Sequence, residues 1–340
     1  MIIGNKKFNA AEIRLDFGTA TSIDLEKMLE TAKAKPALPW RDVMDKNIGW
    51  TDFRQGTDFS SDTIIAENLF LHVQITERKV NAGLLKHLTA VKCAQYRKIN
   101  HVNFVPKKIR TQIKEDLTAE LRKSGTPSVK SIWIVFSGDG NGMAGVSNLR
   151  ELETVSDFCR ETFGCGLTLC DMGYHLENSG FASVLCNYVS PDREMMTDLF
   201  LNPGDDYTDH PPYDMAVNSD EELSEKTYAD RAAIYGELAK TSKEVHAAVE
   251  NGKLLRKINL TVSGKNIPGC EENDRFEFTL HEYGILTSVK LPEPEETQEE
   301  RAGIAERFTL LGKLFAWLKG RYQSFAERSA SPEQFVPAGK

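Results

Sequence analysis

The sequence has no apolar run long enough to cross a membrane, and its six cysteines include no CxxC pair. A membrane-spanning helix needs about 18–20 consecutive apolar residues. The amino-terminal segment also lacks the apolar region and cleavage site of a secretory signal. Cys165 and Cys170 are too far apart for a zinc knuckle, and no HxxxH stands near them. We therefore expect a cytoplasmic protein with buried free thiols and no metal site.

The chain also lacks the signatures of common catalytic sites. It contains neither a GxSxG motif nor a recognisable arrangement of Ser, His and Asp. Four glycines from Gly138 to Gly145 resemble a dinucleotide-binding loop, but their spacing departs from GxGxxG and the segment runs into another strand. These glycines therefore predict a hairpin turn. We expect a protein without catalytic residues and without a cofactor.

Residues 202–230 are strongly acidic, with nine acids and one Lys, and we interpret them as an exposed loop. Two alternative functions depend on this segment. One is a protein-interaction module that uses the acidic face to bind a basic partner. The other is a metal-dependent exonuclease, which needs converging carboxylates. The densest set of possible metal ligands is Asp205, Asp206, Asp209 and His210. Repulsion between this loop and DNA disfavours the nuclease.

Positive charge is scarce over most of the chain, whose formal net charge is −8. Residues 78–130 are the exception, because 13 Lys and Arg stand there against three acids, a local charge of +10 that leaves −18 for the rest. A basic patch on an acidic protein predicts an anionic partner. The alternative is a helical face whose charged side chains only contact water. Tyr96 and Phe104 are the only aromatic residues of the segment. Phosphate contacts with duplex DNA are therefore favoured over base stacking on a single strand.

Two helices are predicted in this basic segment, one from about Gly83 to Lys98 and one that starts at Pro106 and stops before Gly125. Their apolar faces are expected at Leu84, Leu88 and Val91, and at Ile109, Ile113, Leu117 and Leu121. Four cations crowd the start of the second helix and oppose its dipole, which indicates a phosphate site. The candidate DNA-binding residues are Lys86, Lys92, Arg97, Lys98, Lys107, Lys108, Arg110, Lys114, Arg122 and Lys123.

Alternating helical and strand patterns predict an α/β (α+β) chain with more than one lobe. We expect a central lobe from residues 1–76 and 130–190 and a basic helical tip from 77–129. Residues 191–252 are expected to form an acidic loop and a long helix that starts at about Tyr228. Residues 253–330 are expected to form a β-hairpin sheet, with strands at 275–281 and 285–291, and an amphipathic helix. The apolar face of that last helix comprises Ile304, Phe308, Leu311, Phe315, Leu318 and Tyr322.

Ordered segments spread over nearly the whole chain resemble a known family. They are Phe8 to Leu15, Ile48-Gly49-Trp50, Leu69 to Lys79 with Leu84 and Lys86, Arg97-Lys98, Trp133-Ile134 and, most closely, Val249 to Leu260. This collinear set is similar to the recombination-associated RdgC family. The resemblance implies a multi-lobe monomer with mixed or antiparallel sheets and a helical basic insertion.

The resemblance to RdgC further implies a homodimeric ring with a positively charged hole. Such a ring encloses duplex DNA with little sequence preference, associates with the nucleoid and restrains strand exchange by a RecA-type recombinase. The helices around Arg97 and Lys107–Lys114 would face the hole or its gate. The chain departs from the family pattern at residues 124–127, where an aromatic gate residue is missing, and at Glu237, where the family has Lys.

Overall fold

The computed structural model of the chain describes residues 7–16, 23–41, 46–54, 59, 63–78, 80–170, 207–217, 229–234, 243–251, 254–281, 283–293 and 300–330. The chain divides into two compact units. The first unit comprises Met1–Leu25, Ile64–Phe70 and Ile134–Lys340. The second unit comprises Glu26–Thr63 and Leu71–Trp133.

The described secondary structure mixes strands and helices, which confirms the predicted α/β (α+β) class. The strands are β1 (Phe8–Leu15), β2 (Lys46–Asp52), β3 (Ile64–Ile65), β4 (Asn68–Arg78), β5 (Pro127–Ser137), β6 (Asn141–Ala144), β7 (Leu167–Leu169), β8 (Tyr207–Val217), β9 (Ala229–Ile234), β10 (Leu254–Ser263), β11 (Arg275–His281) and β12 (Leu286–Lys290). The α-helices are α1 (Leu25–Lys33), α2 (Ala82–Ile99), α3 (Lys107–Ser124), α4 (Leu149–Phe163), α5 (Lys243–Glu250) and α6 (Glu300–Ala330).

The strands of the first unit form an open and mostly antiparallel sheet. Their hydrogen-bonded order is β6-β1-β12-β11-β10-β8-β9, and β7 also pairs with β1. Strand β11 alternates as a half-buried strand should, with Phe276, Phe278 and Leu280 buried. Helix α6 buries Ile304, Leu311, Phe315 and Leu318 of its predicted apolar face. Apolar burial on this sheet and helix is therefore the main stabilising term of the first unit.

Two predicted hairpins are confirmed. Strands β11 and β12 pair antiparallel around Gly284, which takes φ 75° and donates its N–H to the carbonyl of His281 at 2.9 Å. Strands β5 and β6 pair around Gly140, which takes φ 86°. The glycine-rich segment thus enters a strand, as predicted, and the dinucleotide-loop interpretation is excluded.

Ser147 or Asn148 as an N-cap and Gly164 as a C-cap predict a helix that runs to Phe163, and α4 confirms it. Asn148 is its N-cap and accepts a hydrogen bond from the N–H of Glu151 at 3.0 Å. Gly164 ends the helix in the left-handed region at φ 77° and donates to the carbonyl of Arg160 at 3.0 Å. Local sequence signals therefore set both ends of this helix.

The interpretation of residues 202–230 as a loop is wrong for residues 207–217, which form β8. This strand pairs with β10 on one side and β9 on the other. The register shifts between Lys257, opposite Asp214, and Asn259, opposite His210. The irregularity falls at Pro211 and the following proline, which cannot donate to a ladder, so a bulge accommodates both. Pairing with two neighbours outweighs the turn-like composition of the segment.

The predicted long helix over residues 228–250 is also wrong. Residues Ala229–Ile234 form β9, and only Lys243–Glu250 is helical within the described part of that range. Ala-rich sequence favours a helix locally, but the hydrogen bonds of β9 along β8 override that weak preference. The sequence also predicts a strand at 183–189 and a helix at 190–201. Both segments lie outside the described residues, as does Glu237.

The second unit contains α1, β2, α2, α3 and residues 71–78 of β4. Strands β2 and β4 pair antiparallel, with Trp50 opposite Val73. The backbone of Ala37 approaches Gly49 so closely that a Cβ there would lie 2.4 Å from the Ala37 Cα. Ala37 donates its N–H to the carbonyl of Trp50 at 2.8 Å. Residue 49 is therefore a glycine because the close backbone of Ala37 leaves no room for a side chain at this position.

His72 of β4 is buried in the second unit. Its Nδ1 lies 2.6 Å from the Ser131 Oγ, and its Nε2 has no hydrogen-bond partner among the residues that the structure describes. Burial lowers the pKa of His72 to about 3, because desolvation disfavours the charged imidazolium. The ring is therefore neutral in the folded protein at physiological pH.

Five of the six cysteines lie in the described residues, and all five are free thiols. Cys159 and Cys165 are buried, as predicted, whereas Cys93, Cys170 and Cys270 are partly accessible. Burial raises the pKa of the Cys170 thiol to about 11. Among the described residues, no helix is long and apolar enough to cross a membrane.

Candidate nucleic-acid interface

Helix α2 carries the first four candidate cations. Asn81 is its N-cap and accepts a hydrogen bond from the N–H of Leu84 at 3.0 Å. Lys86 and Lys92 are exposed along the helix, and Arg97 and Lys98 are exposed in its last turn. Cations in a last turn also complement the helix dipole, so this pair stabilises α2 as well as presenting charge.

The buried face of α2 differs from the prediction. Leu88 of the predicted face is partly buried, but Leu84 and Val91 are 45% and 38% exposed. Thr89 is buried instead, and Leu85 and Cys93 are partly buried. The face that packs in the hairpin is thus rotated from the predicted one. Thr89 tolerates burial because its hydroxyl donates to the Leu85 carbonyl at 2.7 Å.

Helix α3 presents cations at its first two turns. Pro106 is its N-cap rather than its first residue, and no side chain caps the helix. Lys107, Arg110 and Lys114 are spaced three and four residues apart and so share one exposed face. The N–H groups of a first helical turn have no partner within their helix and attract anions. Charge, dipole and unpaired donors thus favour a phosphate at the same place.

The predicted apolar face of α3 is confirmed. Leu117 is buried, and Ile109, Ile113 and Leu121 are partly buried. Because the hairpin of α2 and α3 has few fully buried side chains, most of its surface remains accessible. This apolar face of α3 therefore holds the two helices together and leaves their remaining faces exposed to solvent.

All ten candidate side chains are exposed on this hairpin. Within the described part of the chain, none has a charged group within 4.0 Å of a carboxylate oxygen. Glu115, Asp116 and Glu120 lie on α3 after Lys114, and Asp116 accepts a hydrogen bond from Gln112 at 2.9 Å. The hairpin is thus a surface of net positive charge, which raises the local concentration of polyanions. The residues are Lys86, Lys92, Arg97, Lys98, Lys107, Lys108, Arg110, Lys114, Arg122 and Lys123.

Arg78 belongs to the same basic segment but has a structural role. Its guanidinium donates to the backbone carbonyls of Arg122 and Lys123 at the end of α3. The same group stands over the Trp40 ring, 5.7 Å from its centroid. Arg78 therefore caps the carboxyl end of α3, where a cation is favourable.

Sequence reasoning missed the apolar residues at the end of the hairpin where α2 meets α3. Ile99 is 75% exposed, Phe104 is 73% exposed and Val102 is 38% exposed. None of them belongs to a helical repeat of apolar residues, so periodicity gives no signal for them. All three lie within six consecutive residues, at the end of α2 and in the turn that follows it.

The candidate nuclease ligands fall partly outside the described residues, at Asp205 and Asp206. His210 lies on β8, where its Nε2 is 3.0 Å from the Thr261 Oγ1. In the described ranges, no three His, Cys, Asp or Glu side chains are grouped so that they could hold a metal ion.

No protein-family model matches the chain, and no curated protein matches it. The resemblance to the RdgC family therefore stays a prediction. Any functional assignment depends on the geometry and charge of the hairpin.

Proposed function

We propose that this protein binds duplex DNA without sequence specificity through the hairpin of α2 and α3. The observation that carries the proposal is the exposure of ten cations on one hairpin, none of them paired with a described carboxylate. Phosphate contacts from Lys and Arg release condensed counterions and give affinity without reading bases. The proposed activity requires neither catalytic residues nor a cofactor.

The dimensions of the hairpin suit a duplex. Each of its helices has 18 residues, which corresponds to a length of about 27 Å. Duplex DNA carries one negative charge per roughly 1.7 Å of its axis. A helix of this length can therefore contact several phosphates at once, and the steep salt dependence of such binding provides its test.

The resemblance to the RdgC family supports a more specific form of the proposal. In this form the protein is a nucleoid-associated, cytoplasmic homodimer whose ring encloses DNA and restrains a RecA-type recombinase. The acidic remainder of the chain would then keep DNA on the basic hairpins, because like charges repel it elsewhere.

The test is a salt-titrated binding assay on linear and closed-circular duplex without metal, together with sizing of the protein. We expect sequence-indifferent binding by a dimer that weakens steeply with salt. Retention on circles with dissociation from the ends of linear DNA would support enclosure. Absence of binding at low salt would refute the proposal. Degradation of duplex on addition of Mg²⁺ or Mn²⁺, lost with chelator, would instead support the exonuclease alternative.

A further inference from the structure

The hairpin ends in an apolar projection. Ile99 and Phe104 are the most exposed of the large hydrophobic residues in the described part of the chain, at 75% and 73%. Val102 between them is 38% exposed. Large apolar side chains exposed together on a soluble protein commonly mark a contact surface.

The backbone holds this projection in a defined conformation. Asn100 ends α2 and donates its backbone N–H to the Tyr96 carbonyl at 3.0 Å. His101 follows in the left-handed region at φ 52°, and the N–H of Val102 bonds to the Arg97 carbonyl at 3.2 Å. The Val102 bond is the 6→1 bond of a Schellman motif, with His in the position that favours glycine. An ordered turn loses little further freedom when it inserts into a partner.

Cations flank the projection on both sides. Arg97 and Lys98 end α2 just before it, and Lys107 and Lys108 begin α3 just after it. The result is an apolar centre between two pairs of positive charges. Duplex DNA has the complementary arrangement across a groove, where phosphates lie on both sides of the stacked bases.

We infer that Phe104 and Ile99 form a wedge that inserts between adjacent base pairs of a duplex while the flanking cations hold the phosphates. This inference rests on the proposed DNA binding and adds local unstacking to it. Proteins that insert Phe or Ile at a base step do so from the minor groove and unstack the step. Insertion at any step needs no specific base contact, which is consistent with binding that ignores sequence.

The distribution of apolar surface favours a base step over a lipid bilayer. An interfacial membrane helix needs an apolar face along its length. Here the apolar face of α3 lies towards α2, and the exposed face of α3 carries Lys107, Arg110 and Lys114. The apolar surface at the end of the hairpin therefore favours a base step, and membrane binding becomes one outcome of the test.

The experiment compares wild type with Phe104→Ala and with the double variant Ile99→Ala/Phe104→Ala. Val129→Ala is the matched control, because Val129 is 63% exposed in the same unit but lies on β5. The first readout is the linking number of closed circles relaxed by a topoisomerase in the presence of saturating protein. The second is the fluorescence of 2-aminopurine placed in a duplex, which rises when its base unstacks.

We expect wild type and Val129→Ala to lower the linking number and raise the fluorescence. The Phe104 variants should lose both effects at saturation while their affinity falls by less than about tenfold, since phosphate contacts dominate affinity. The salt slope should not change. Phe104→Leu should keep part of the unwinding, because leucine is also used as a wedge.

Three results would overturn the inference. If wild type binds duplex without unwinding it, or the Phe104 variants unwind as much as wild type, DNA binding stands and the wedge does not. If wild type binds vesicles of anionic phosphatidylglycerol more tightly than duplex, and Phe104→Ala abolishes this, the projection is a membrane anchor. If wild type fails to bind duplex at low salt, the proposed function and the wedge both fail.

Discussion

Removing the three cations at the start of α3 separates DNA binding from folding. The variant Lys107→Ala/Lys108→Ala/Arg110→Ala removes exposed side chains that have no described carboxylate partner. Positive charge at this end of a helix opposes the dipole by about 0.3–1 kcal/mol per residue. The variant should therefore be at least as stable as wild type in urea unfolding and should bind DNA more weakly.

The size of the binding loss follows from counterion release. Each phosphate contact contributes about −0.9 to the slope of log K against log salt. If all three residues contact phosphate, the slope becomes less negative by about 2.7 and affinity at about 0.1 M salt falls by up to roughly 500-fold. The loss should be equal for duplexes of different sequence, because phosphates carry no base information.

A second triple variant controls for net charge. Arg150→Ala/Lys265→Ala/Arg275→Ala also removes three exposed cations, but from the first unit. Fluorescence anisotropy at several salt concentrations gives the affinity and the slope for both variants. A phosphate site at the start of α3 is refuted if the α3 variant binds within twofold of wild type, or if the control loses as much affinity as the α3 variant.

Three further changes, the last with a control variant, test the packing around the hairpin and the sheet. The pKa of His72 is about 3 in the folded protein, below its ordinary value of 6.5. Between pH 3 and pH 6.5 the imidazole is therefore protonated in the unfolded chain but not in the folded one. Stability should therefore fall as pH drops below 6.5, by about 1.4 kcal/mol per unit, and His72→Gln should remove this part of the pH dependence of urea unfolding. Arg78→Gln should lower the free energy of unfolding by about 1 kcal/mol and speed amide hydrogen exchange at the end of α3, because it removes a charged cap. Unchanged exchange would contradict that role of Arg78. Gly142→Ala should cost about 2 kcal/mol or more in thermal unfolding, because its Cβ would lie 2.1 Å from the Val135 carbonyl oxygen. Gly303→Ala, with nothing within 4 Å, should cost nothing.

Local signals predicted helix α4 and the hairpins correctly because capping and turn residues act within a few positions of the chain. Asn148 and Gly164 illustrate this, since each satisfies backbone groups of its own helix. The same holds for α2 and α3, which are predicted to within one residue at their starts. Strand β8 was missed because its hydrogen bonds come from β10 and β9, distant in sequence, and nothing local in residues 207–217 reports them.

The charge of the candidate site could be read directly from the sequence, since ten cations within residues 86–123 must lie close together on two helices. Their accessibility could not, because a cation may be exposed or paired with a carboxylate far along the chain. Only the packed structure decides that question, and within its described part it leaves all ten exposed and unpaired.

The sequence alone determined the concentration of positive charge in one segment and the helical form of that segment, because both depend on neighbouring residues. Tertiary structure decided which face of α2 packs against α3 and which apolar residues stay exposed where the helices meet. Leu84, Ile99 and Phe104 are as apolar as core residues, yet they lie in solvent. Burial depends on what packs against a side chain, and that is a property of the whole fold.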